Sequence, residues 1–225
     1  MDEQPLATTE RTRLRRGVDR GHHDRETVCA ILDAGLICHV GFALDGRPWV
    51  FPTAYGRVDD NLYVHGASGN FGLRALAAGA EACLTVTVVD GLVLARSAFH
   101  HSMNYRSVML FAHAEAVTEP DEKRRALLAI VEHMAPGRSE DARPPSDQEM
   151  RKSLVIRIPI DEASAKVRAG GPVDEPDDIG LPYWAGHLPL RLVPGEPVPD
   201  VAVAADATRA IPDYVMNWLA LSSRG

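Results

Sequence analysis

The strongest signal for the fold lies in residues 36–65, LICHVGFALDGRPWVFPTAYGRVDDNLYVH. Two apolar runs of strand length flank Asp45-Gly46, a pair that tolerates positive φ and favours a tight hairpin turn. Pro52 in the second run indicates an edge or a bulge, because proline cannot donate a ladder hydrogen bond. A polar turn at residues 59–61 leads into a short alternating strand that ends at His65. Antiparallel strands are thus predicted in direct succession.

Outside this stretch, the pattern of apolar residues predicts further short strands and several helices. We interpret Asp90-Gly91 as a turn between two strands and residues 100–106 as a polar loop. The predicted helices cover residues 24–34, 71–80, 120–135 and 211–221, and the predicted strands cover 36–44, 48–58, 62–65, 81–90, 92–99, 107–117 and 154–167. Short strands with tight turns favour a mainly β fold, an antiparallel barrel with flanking helices, over a parallel sheet.

Composition narrows the partners and the location. The chain has 225 residues and a formal charge of −7, which argues against nucleic acid because phosphate binding rewards positive charge. No apolar run reaches the roughly 18 residues of a membrane helix, and the N-terminus lacks the features of a signal peptide. The three cysteines form no CxxC pair, so we expect them to be buried thiols. We therefore expect a cytoplasmic protein that binds neither nucleic acid nor a membrane.

We divide the chain into three parts. Residues 1–20 are predicted to form a flexible basic arm, residues 21–170 the barrel domain, and residues 171–225 a Pro/Gly-rich C-terminal extension packed on the barrel. The arm either stays solvated, packs across a partner subunit, or closes over an anionic ligand. Its arginines are Arg11, Arg13, Arg15, Arg16 and Arg20.

Two polar segments beside predicted strands are candidates for ligand contacts. In LYVHGASGNFGLRAL (62–76), a strand is followed by a small-residue loop and a helix start, whose free amides favour an anion. Ser68 adds a hydroxyl and Arg74 a guanidinium suited to phosphate, although an ordinary strand–turn–helix with a surface arginine has the same pattern. The second segment, HHSMNYRSV (100–108), concentrates polar side chains at the expected barrel rim.

The nine histidines raise the question of a metal or a haem. None of them has a ligand spacing such as HxH or HExxH, so we predict no metal site bound by the protein alone. A single histidine can serve as an axial haem ligand without any motif, which leaves haem open. The haem-ligand candidates are His65, His100, His101 and His113.

Five segments together resemble the pyridoxamine 5'-phosphate-oxidase-like FMN-binding split-barrel family, and in particular its group of nitroimidazole-resistance proteins. They are spread over roughly residues 11–200. The segments are WVFPTAYGRVDDNLYVHGASG (49–69), DGLVLARSAFHHSMNYRSV (90–108), EPDEKRRAL (119–127), SAKVRAGGP (164–172) and YWAGHLPL (183–190).

The resemblance implies a homodimer with FMN in clefts between the subunits. It implies that the FPTAY segment lines the flavin and that residues of the following loop lie near its phosphate or ring edge. His65 becomes the candidate catalytic residue. The candidate cofactor-binding residues are Pro52, Thr53, Tyr55, His65, Ser68, Arg74, Tyr105, Arg106 and Ser107. One departure is Phe71, which stands where many members have a basic residue close to the phosphate.

The function implied is that of an FMN-dependent oxidoreductase that passes hydride or electrons to a small electron-poor substrate. Two alternatives stay open. One is a haem-binding enzyme on the same fold, favoured by the histidines and by the phosphate site that Phe71 weakens. The other is a non-catalytic flavin carrier or sensor. Pyridoxamine phosphate oxidation itself is not expected, since the C-terminal region does not resemble the substrate-binding end of that enzyme.

Overall fold

The protein is described by a computed structural model that covers residues 6–204, 206 and 208–218. The strands of this part are β1 Gly21–His22, β2 Cys38–Leu44, β3 Arg47–Thr53, β4 Tyr55–Val58, β5 Asn61–Ala67, β6 Glu81–Leu94, β7 Ser102–His113, β8 Glu115–Ala116, β9 Ser153–Pro159, β10 Glu162–Arg168 and β11 Gly186–Pro189. The helices are α1 Arg25–Ala34, α2 Phe71–Ala77, α3 Pro120–Met134, α4 Asp147–Lys152, α5 Val201–Ala204 and α6 Asp213–Met216.

Two antiparallel sheets form a split barrel, which confirms the predicted fold class. The larger sheet has seven strands in the order β1-β10-β7-β6-β2-β3, with β11 paired to β6. The smaller sheet has four strands in the order β4-β5-β9-β8. The chain passes from one sheet to the other between β3 and β4 at Ala54, between β5 and β6, between β7 and β8, and between β9 and β10. These crossings wrap both sheets around one apolar core.

The core lies between the sheets and is closed at one side by α1. Val28, Ile31 and Leu32 of α1 are buried, the spacing that places apolar side chains on one helix face. Asp24 caps this helix by accepting a hydrogen bond from the backbone N–H of Thr27 at 2.7 Å. The helix thus enters the fold as the sequence predicts.

The hairpin turn at Asp45-Gly46 is confirmed. Both residues have positive φ, 51° and 72°, which matches the twist of the strands that they join. β2 and β3 pair in register from Cys38 opposite Thr53 to Leu44 opposite Arg47. The second turn uses Asp59, which also has a positive φ of 52°.

The turn predicted at Asp90-Gly91 is wrong. β6 runs without a break through 14 residues, and the register against β7 shifts between Val89 and Gly91, as at a β-bulge. A Cβ on Gly91 would lie 2.8 Å from the carbonyl oxygen of Leu188, so the glycine is needed for the close approach of β11. The polar loop predicted at residues 100–106 is also wrong for most of its length, because β7 already begins at Ser102.

The single strand predicted at residues 154–167 is two strands, β9 and β10, which belong to different sheets. The predicted helices 71–80 and 120–135 correspond to α2 and α3. Of the predicted C-terminal helix, α6 covers Asp213–Met216, and residues 219–221 lie outside the described residues. Among the cysteines only Cys38 is fully buried, and all three are free thiols.

The described part of the N-terminal arm, residues 6–20, packs against the barrel, so the expectation of a loose arm is wrong there. Leu6 is buried in the core, and Arg11 lies over the ring of Phe111 at 4.6 Å. Arg11 also forms ion pairs with Glu81 and Glu162, on strands that the arm crosses. These contacts fix the arm to the larger sheet.

The C-terminal extension contacts the rest of the protein at several places, including the following three. β11 pairs with the distal half of β6, and the buried carboxylate of Asp174 binds Arg96 at 2.8 Å. Trp218 donates its indole N–H to the carbonyl oxygen of Met134 at 2.9 Å. No helix in the described ranges is long and apolar enough to cross a membrane.

Candidate functional site: a wide cleft beside helix α1

A cleft of about 1450 Å³ opens beside α1, between the barrel and the chain that follows β11. Its walls come from α1, the start of β2, the middle of β6, the end of α3 and residues 189–192. Apolar side chains such as Ile37, Val89 and Leu192 line it together with several charged groups. A cleft of this size exceeds the roughly 300–1,000 Å³ of most small-molecule sites, so a cofactor-sized ligand fits it.

Two of the three arginines at the cleft wall, Arg57 and Arg106, have acidic partners, and the third is Arg191. Arg57 on β4 donates from Nε to Asp33 of α1 at 2.7 Å, and this contact raises the pKa of the guanidinium above its ordinary value. Arg106 on β7 makes two contacts with Asp90, at 3.0 and 3.1 Å. The cleft is therefore close to charge balance, and its free surface is mainly apolar.

His133, near the end of α3, faces the same cleft. Its Nε2–H donates to the carbonyl oxygen of Gly35 at 2.6 Å, and its ring lies 4.5 Å from the ring of Tyr55. Burial lowers the pKa of the imidazole, because a charged ring would lose hydration there. His133 is thus held neutral, with Nδ1 as the nitrogen left to accept.

Two of the nine predicted cofactor-binding residues, Pro52 and Arg106, line this cleft. Pro52 pairs with His39 of β2, which lines the cleft as well. The imidazole of His39 makes no hydrogen bond within the described residues. Thr53 is the next residue of β3, and its hydroxyl donates to the carbonyl oxygen of Ala54 at 3.1 Å. Of the predicted FPT segment, Pro52 therefore lines the cleft and Thr53 follows it in the same strand.

Tyr55 does not fit its predicted role. The side chain is fully buried in the core, and its hydroxyl is shared between the carbonyl oxygens of Leu32 and Gly35 at the end of α1. A bound cofactor cannot reach a ring that is enclosed on all sides. Tyr55 is accordingly a structural residue that fastens α1 to the barrel.

His65 lies at the end of β5, away from the cleft wall. Val64 pairs with Tyr55 in the antiparallel register of β4 and β5. The next position of β5, His65, is therefore opposite Ala54, where the chain passes from β3 to β4. Partial burial lowers the pKa of its imidazole, which favours the neutral ring. The imidazole of His65 makes no hydrogen bond inside the described ranges and is free to accept one or to bind a metal.

The predicted phosphate loop is only partly free. The side chain of Asn70 caps α2 by accepting from the backbone N–H of Leu73 at 3.0 Å, and the N–H of Ser68 donates to Lys152 at 2.9 Å. Ser68 and Arg74 themselves are exposed. Phe71 packs against Trp49 with ring centroids 5.0 Å apart, so an aromatic contact replaces the expected basic residue.

The three candidates on β7 point to different sides of the sheet. The side chains of Arg106 and Val108 are on the inward face of β7, whereas those of Tyr105 and Ser107 are on the outer face. The structure therefore separates Arg106 from Tyr105 and Ser107. The outer pair lies opposite Arg168 and Lys166 of β10.

The remaining haem-ligand candidates do not converge. His101 precedes β7 and binds the carbonyl oxygen of Ser97 at 3.0 Å, while His100 lies 3.5 Å from Glu175. His113 is the last residue of β7 and lies roughly 35 Å from the start of that strand, which has 12 residues. The described residues contain no group of three or more His, Cys, Asp and Glu side chains that could hold a metal ion.

Sequence reasoning missed the part of the cleft that α1 and His133 supply. Glu26, Cys29, Ala30 and Asp33 of α1 all line the cleft. They recur at i, i+3, i+4 and i+7, on the face opposite the buried residues of the helix. That second stripe was the available signal, whereas nothing in the local sequence marks His39 or His133.

The fold and the cleft define a split-barrel protein with room for a large, mainly apolar ligand. The chain belongs to the pyridoxamine 5'-phosphate oxidase family, whose pattern matches residues 24–167. This confirms the resemblance found in the sequence. No curated protein gives a significant match to the chain.

Three solved structures show how far the similarity extends. The flavocytochrome Anf3 from Azotobacter vinelandii is 38% identical, covers 95% of this chain and 98% of its own, and superposes with a TM-score of 0.86. An FAD and haem binding protein from Mycobacterium smegmatis is 36% identical over 88% of this chain and 96% of its own, with a TM-score of 0.83. A candidate 5-nitroimidazole antibiotic resistance protein from Bacteroides thetaiotaomicron is 28% identical over 65% of this chain and 86% of its own, with a TM-score of 0.56.

Proposed function

We propose that this chain is a flavin- and haem-binding redox protein. The observation that carries the proposal is the extent of the likeness to the two haem-binding relatives. The family pattern ends at residue 167, whereas a match over 95% of the chain has to include most of the extension that follows. The nitroimidazole-type relative covers only 65%. The extension that closes the cleft is thus a feature that this chain has in common with the haem-binding relatives.

The residues present fit a haem. An axial ligand has to be a neutral imidazole with a free nitrogen, and the ring system needs apolar walls. His65 meets the first condition through its lowered pKa but lies away from the apolar cleft, whereas His39 lines the cleft and its imidazole makes no hydrogen bond in the described part of the chain. We therefore propose His65 and His39 as alternative axial ligands, rather than His100 or His101, which already have partners.

The residues also fit a flavin nucleotide. Pro52 and Thr53 present backbone at the point where β3 leaves the larger sheet, and exposed Ser68 and Arg74 offer donors to a phosphate. Phe71 removes one expected cation and adds an aromatic surface beside Trp49. Either FMN or FAD is compatible with these residues, and extraction of the bound nucleotide decides between them.

A bound flavin would accept two electrons as hydride and release them one at a time, and a bound haem would carry single electrons, so the pair would join a hydride donor to a single-electron acceptor. This chain's part is to position the groups and exclude water. The apolar wall of the cleft lowers the local dielectric, and Asp33 and Asp90 hold Arg57 and Arg106 in place at its rim. Neutral His133 adds a hydrogen-bond acceptor.

The absorbance spectrum of the purified protein is the first test. We expect a Soret band together with the two flavin bands in the near-UV and blue, before or after addition of haemin and flavin nucleotide. Flavin bands without any Soret band would instead support an FMN-dependent reductase of small electron-poor substrates, which the 28% identity to the nitroimidazole-type protein favours. Absence of both chromophores after reconstitution would overturn both proposals.

Single histidine variants test the ligand assignment. We expect His65→Ala or His39→Ala to shift or abolish the Soret band, because iron would lose an axial nitrogen. His101→Ala serves as the matched control, since that imidazole is exposed and binds a local carbonyl. An unchanged Soret band in both test variants would contradict the assignment even if the protein binds haem.

The outer face of the larger sheet supports a homodimer. Val50, Val89, Met103 and Met109 are exposed there although they are apolar, and Val89 and Met103 are diagonal neighbours because Val89 pairs with Tyr105. Exposed apolar side chains grouped on a sheet face are typical of a protein interface. We propose that a second copy of the chain covers this face.

A further inference from the structure

Three cations converge at the end of the larger sheet without a firm acidic partner. An ideal Cβ on Gly17 would lie 3.7 Å from Cε of Lys166 and 3.8 Å from Nε of Arg20. One small loop therefore brings these two side chains within a few ångströms of each other. The carboxylate nearest to Arg20 is Asp19, at 4.0 Å and 81% exposed, and a contact of that kind adds little.

Arg168 is the third cation and the most buried of them, with 7% of its surface exposed. Within the described residues it has no carboxylate partner. Its guanidinium donates to the side-chain oxygen of Asn104 and to the carbonyl oxygens of Gly170 and Gly171, at 3.4 and 3.1 Å for the two carbonyls. A buried cation held only by neutral acceptors is costly, and a bound anion would offset that cost.

Two hydroxyl groups lie beside the cations. Register places Ser107 opposite Lys166 and Tyr105 opposite Arg168 on neighbouring strands. The Ser107 hydroxyl donates to the carbonyl oxygen of Lys166 at 3.4 Å, a long contact that a bound anion would replace. Hydroxyl donors next to uncompensated cations are the usual surroundings of a phosphate or carboxylate group. None of these five residues lines the wide cleft, but Ser107 and Tyr105 pair with Thr87 and Val89 of β6, which do, so the arrangement adjoins the cleft.

We propose that this cluster is an anion-binding site for a phosphate or carboxylate group of a ligand, with Gly17 and the loop at Gly170 as its rim. The charge is unusual in a chain that is negative overall, with a formal charge of −7. Local positive charge in such a protein concentrates anions at one place. The basic N-terminal arm thereby has a role in binding besides its packing role.

Calorimetric titration of the purified full-length protein tests the site, with sodium pyrophosphate in one arm and succinate in the other, at constant ionic strength. We expect one of the two to bind, and Lys166→Gln or Arg20→Gln to weaken that binding about tenfold each, as loss of one charge-assisted contact does. Arg47→Gln, at an exposed hairpin position, is the control and should bind as the wild type does. Preference for pyrophosphate indicates a phosphorylated ligand, and preference for succinate a carboxylate.

Equal affinities in the wild type and both variants would overturn the proposal. The proposal would also fail if the wild type bound neither anion and both variants kept their flavin and haem absorbance. If the wild type binds neither anion and the variants lose flavin or haem absorbance, the cluster holds an anionic group of the cofactor itself. The spectrum of the untitrated wild type tests the proposed function separately.

Discussion

The hydroxyl of Tyr55 is an example of a residue whose chemistry is fully used inside the fold. It satisfies carbonyl groups at the end of α1, where a helix leaves acceptors unpaired. We expect Tyr55→Phe to lower the free energy of unfolding by about 1–3 kcal/mol, because buried carbonyls lose their donor. Urea denaturation measures the change, and Tyr183→Phe, at an exposed ring, is the control. Loss of cofactor at unchanged stability would contradict this role.

Gly56 is the point at which β4 and α3 touch. A Cβ there would lie 2.6 Å from backbone atoms of Ala129 and Ile130, which cannot rotate away. We expect Gly56→Ala to destabilise the protein by about 3 kcal/mol, near the upper end for overpacked cores. Gly69→Ala is the matched control, because nothing lies within 4 Å of its Cβ position. Equal melting temperatures for the two variants would refute the contact.

His133 gives the stability of the fold a pH dependence. Burial lowers the pKa of its imidazole below the ordinary value, so the unfolded chain binds the proton more readily than the folded one. The contribution of His133 is complete above its unfolded pKa of about 6.5 and is lost as the pH falls toward the lowered folded value. Unfolding free energies of His133→Gln at pH about 7.5 and about 5 should differ less than those of the wild type. Parallel pH curves for the two proteins would show that another group is responsible.

At the scale of elements, Arg96 and Asp174 join the C-terminal extension to the barrel. The carboxylate accepts from both the backbone N–H and the guanidinium of Arg96, at 2.9 and 2.8 Å. We expect Asp174→Ala to free the extension and to speed hydrogen exchange of the amides in β11, while β2 stays protected. Asp177→Ala, a nearby exposed carboxylate, is the control. Unchanged exchange in β11 would mean that strand pairing alone holds the extension.

The local sequence predicted a turn correctly where the residues of the turn and the strands on both sides gave the same signal. Asp45-Gly46 could only be a turn between apolar runs, and it is one. Asp90-Gly91 is the same dipeptide, but here the glycine allows the backbone of Leu188 in β11 to lie close to β6. Only the tertiary structure shows this contact. The break between β9 and β10 follows Pro159 and turns at Ile160-Asp161, a weaker signal than Asp45-Gly46 because it contains no glycine.

The candidate site was less predictable than the fold, because its wall combines residues from distant elements. Pro52 and Arg106 were found through the family resemblance, and both line the cleft. His133 reaches it only because α3 packs on β4, about a hundred residues away in sequence from Gly35, its hydrogen-bond partner. Spacing within one segment cannot encode such a meeting.

For the whole molecule, the exposed sheet face predicts the assembly. We expect the 24.4 kDa chain to run as a species of about twice that mass in light scattering after size exclusion, in line with the twofold assemblies common among proteins. Met109→Glu should shift it toward monomer, because a charge would be buried in the interface. Met134→Glu is the control, since its side chain is equally exposed, at 41% against 42%, but lies on α3. A wild-type monomer would refute the dimer.

One edge of β6 is shared by two neighbours. β2 pairs with residues 82–85 and β11 with residues 91–94, while β7 occupies the other edge. A chain shortened after Gly171 would leave the distal part of that edge with bare N–H and C=O groups. Such an edge is a template on which strands of other molecules add, so the extension also protects the protein from self-aggregation.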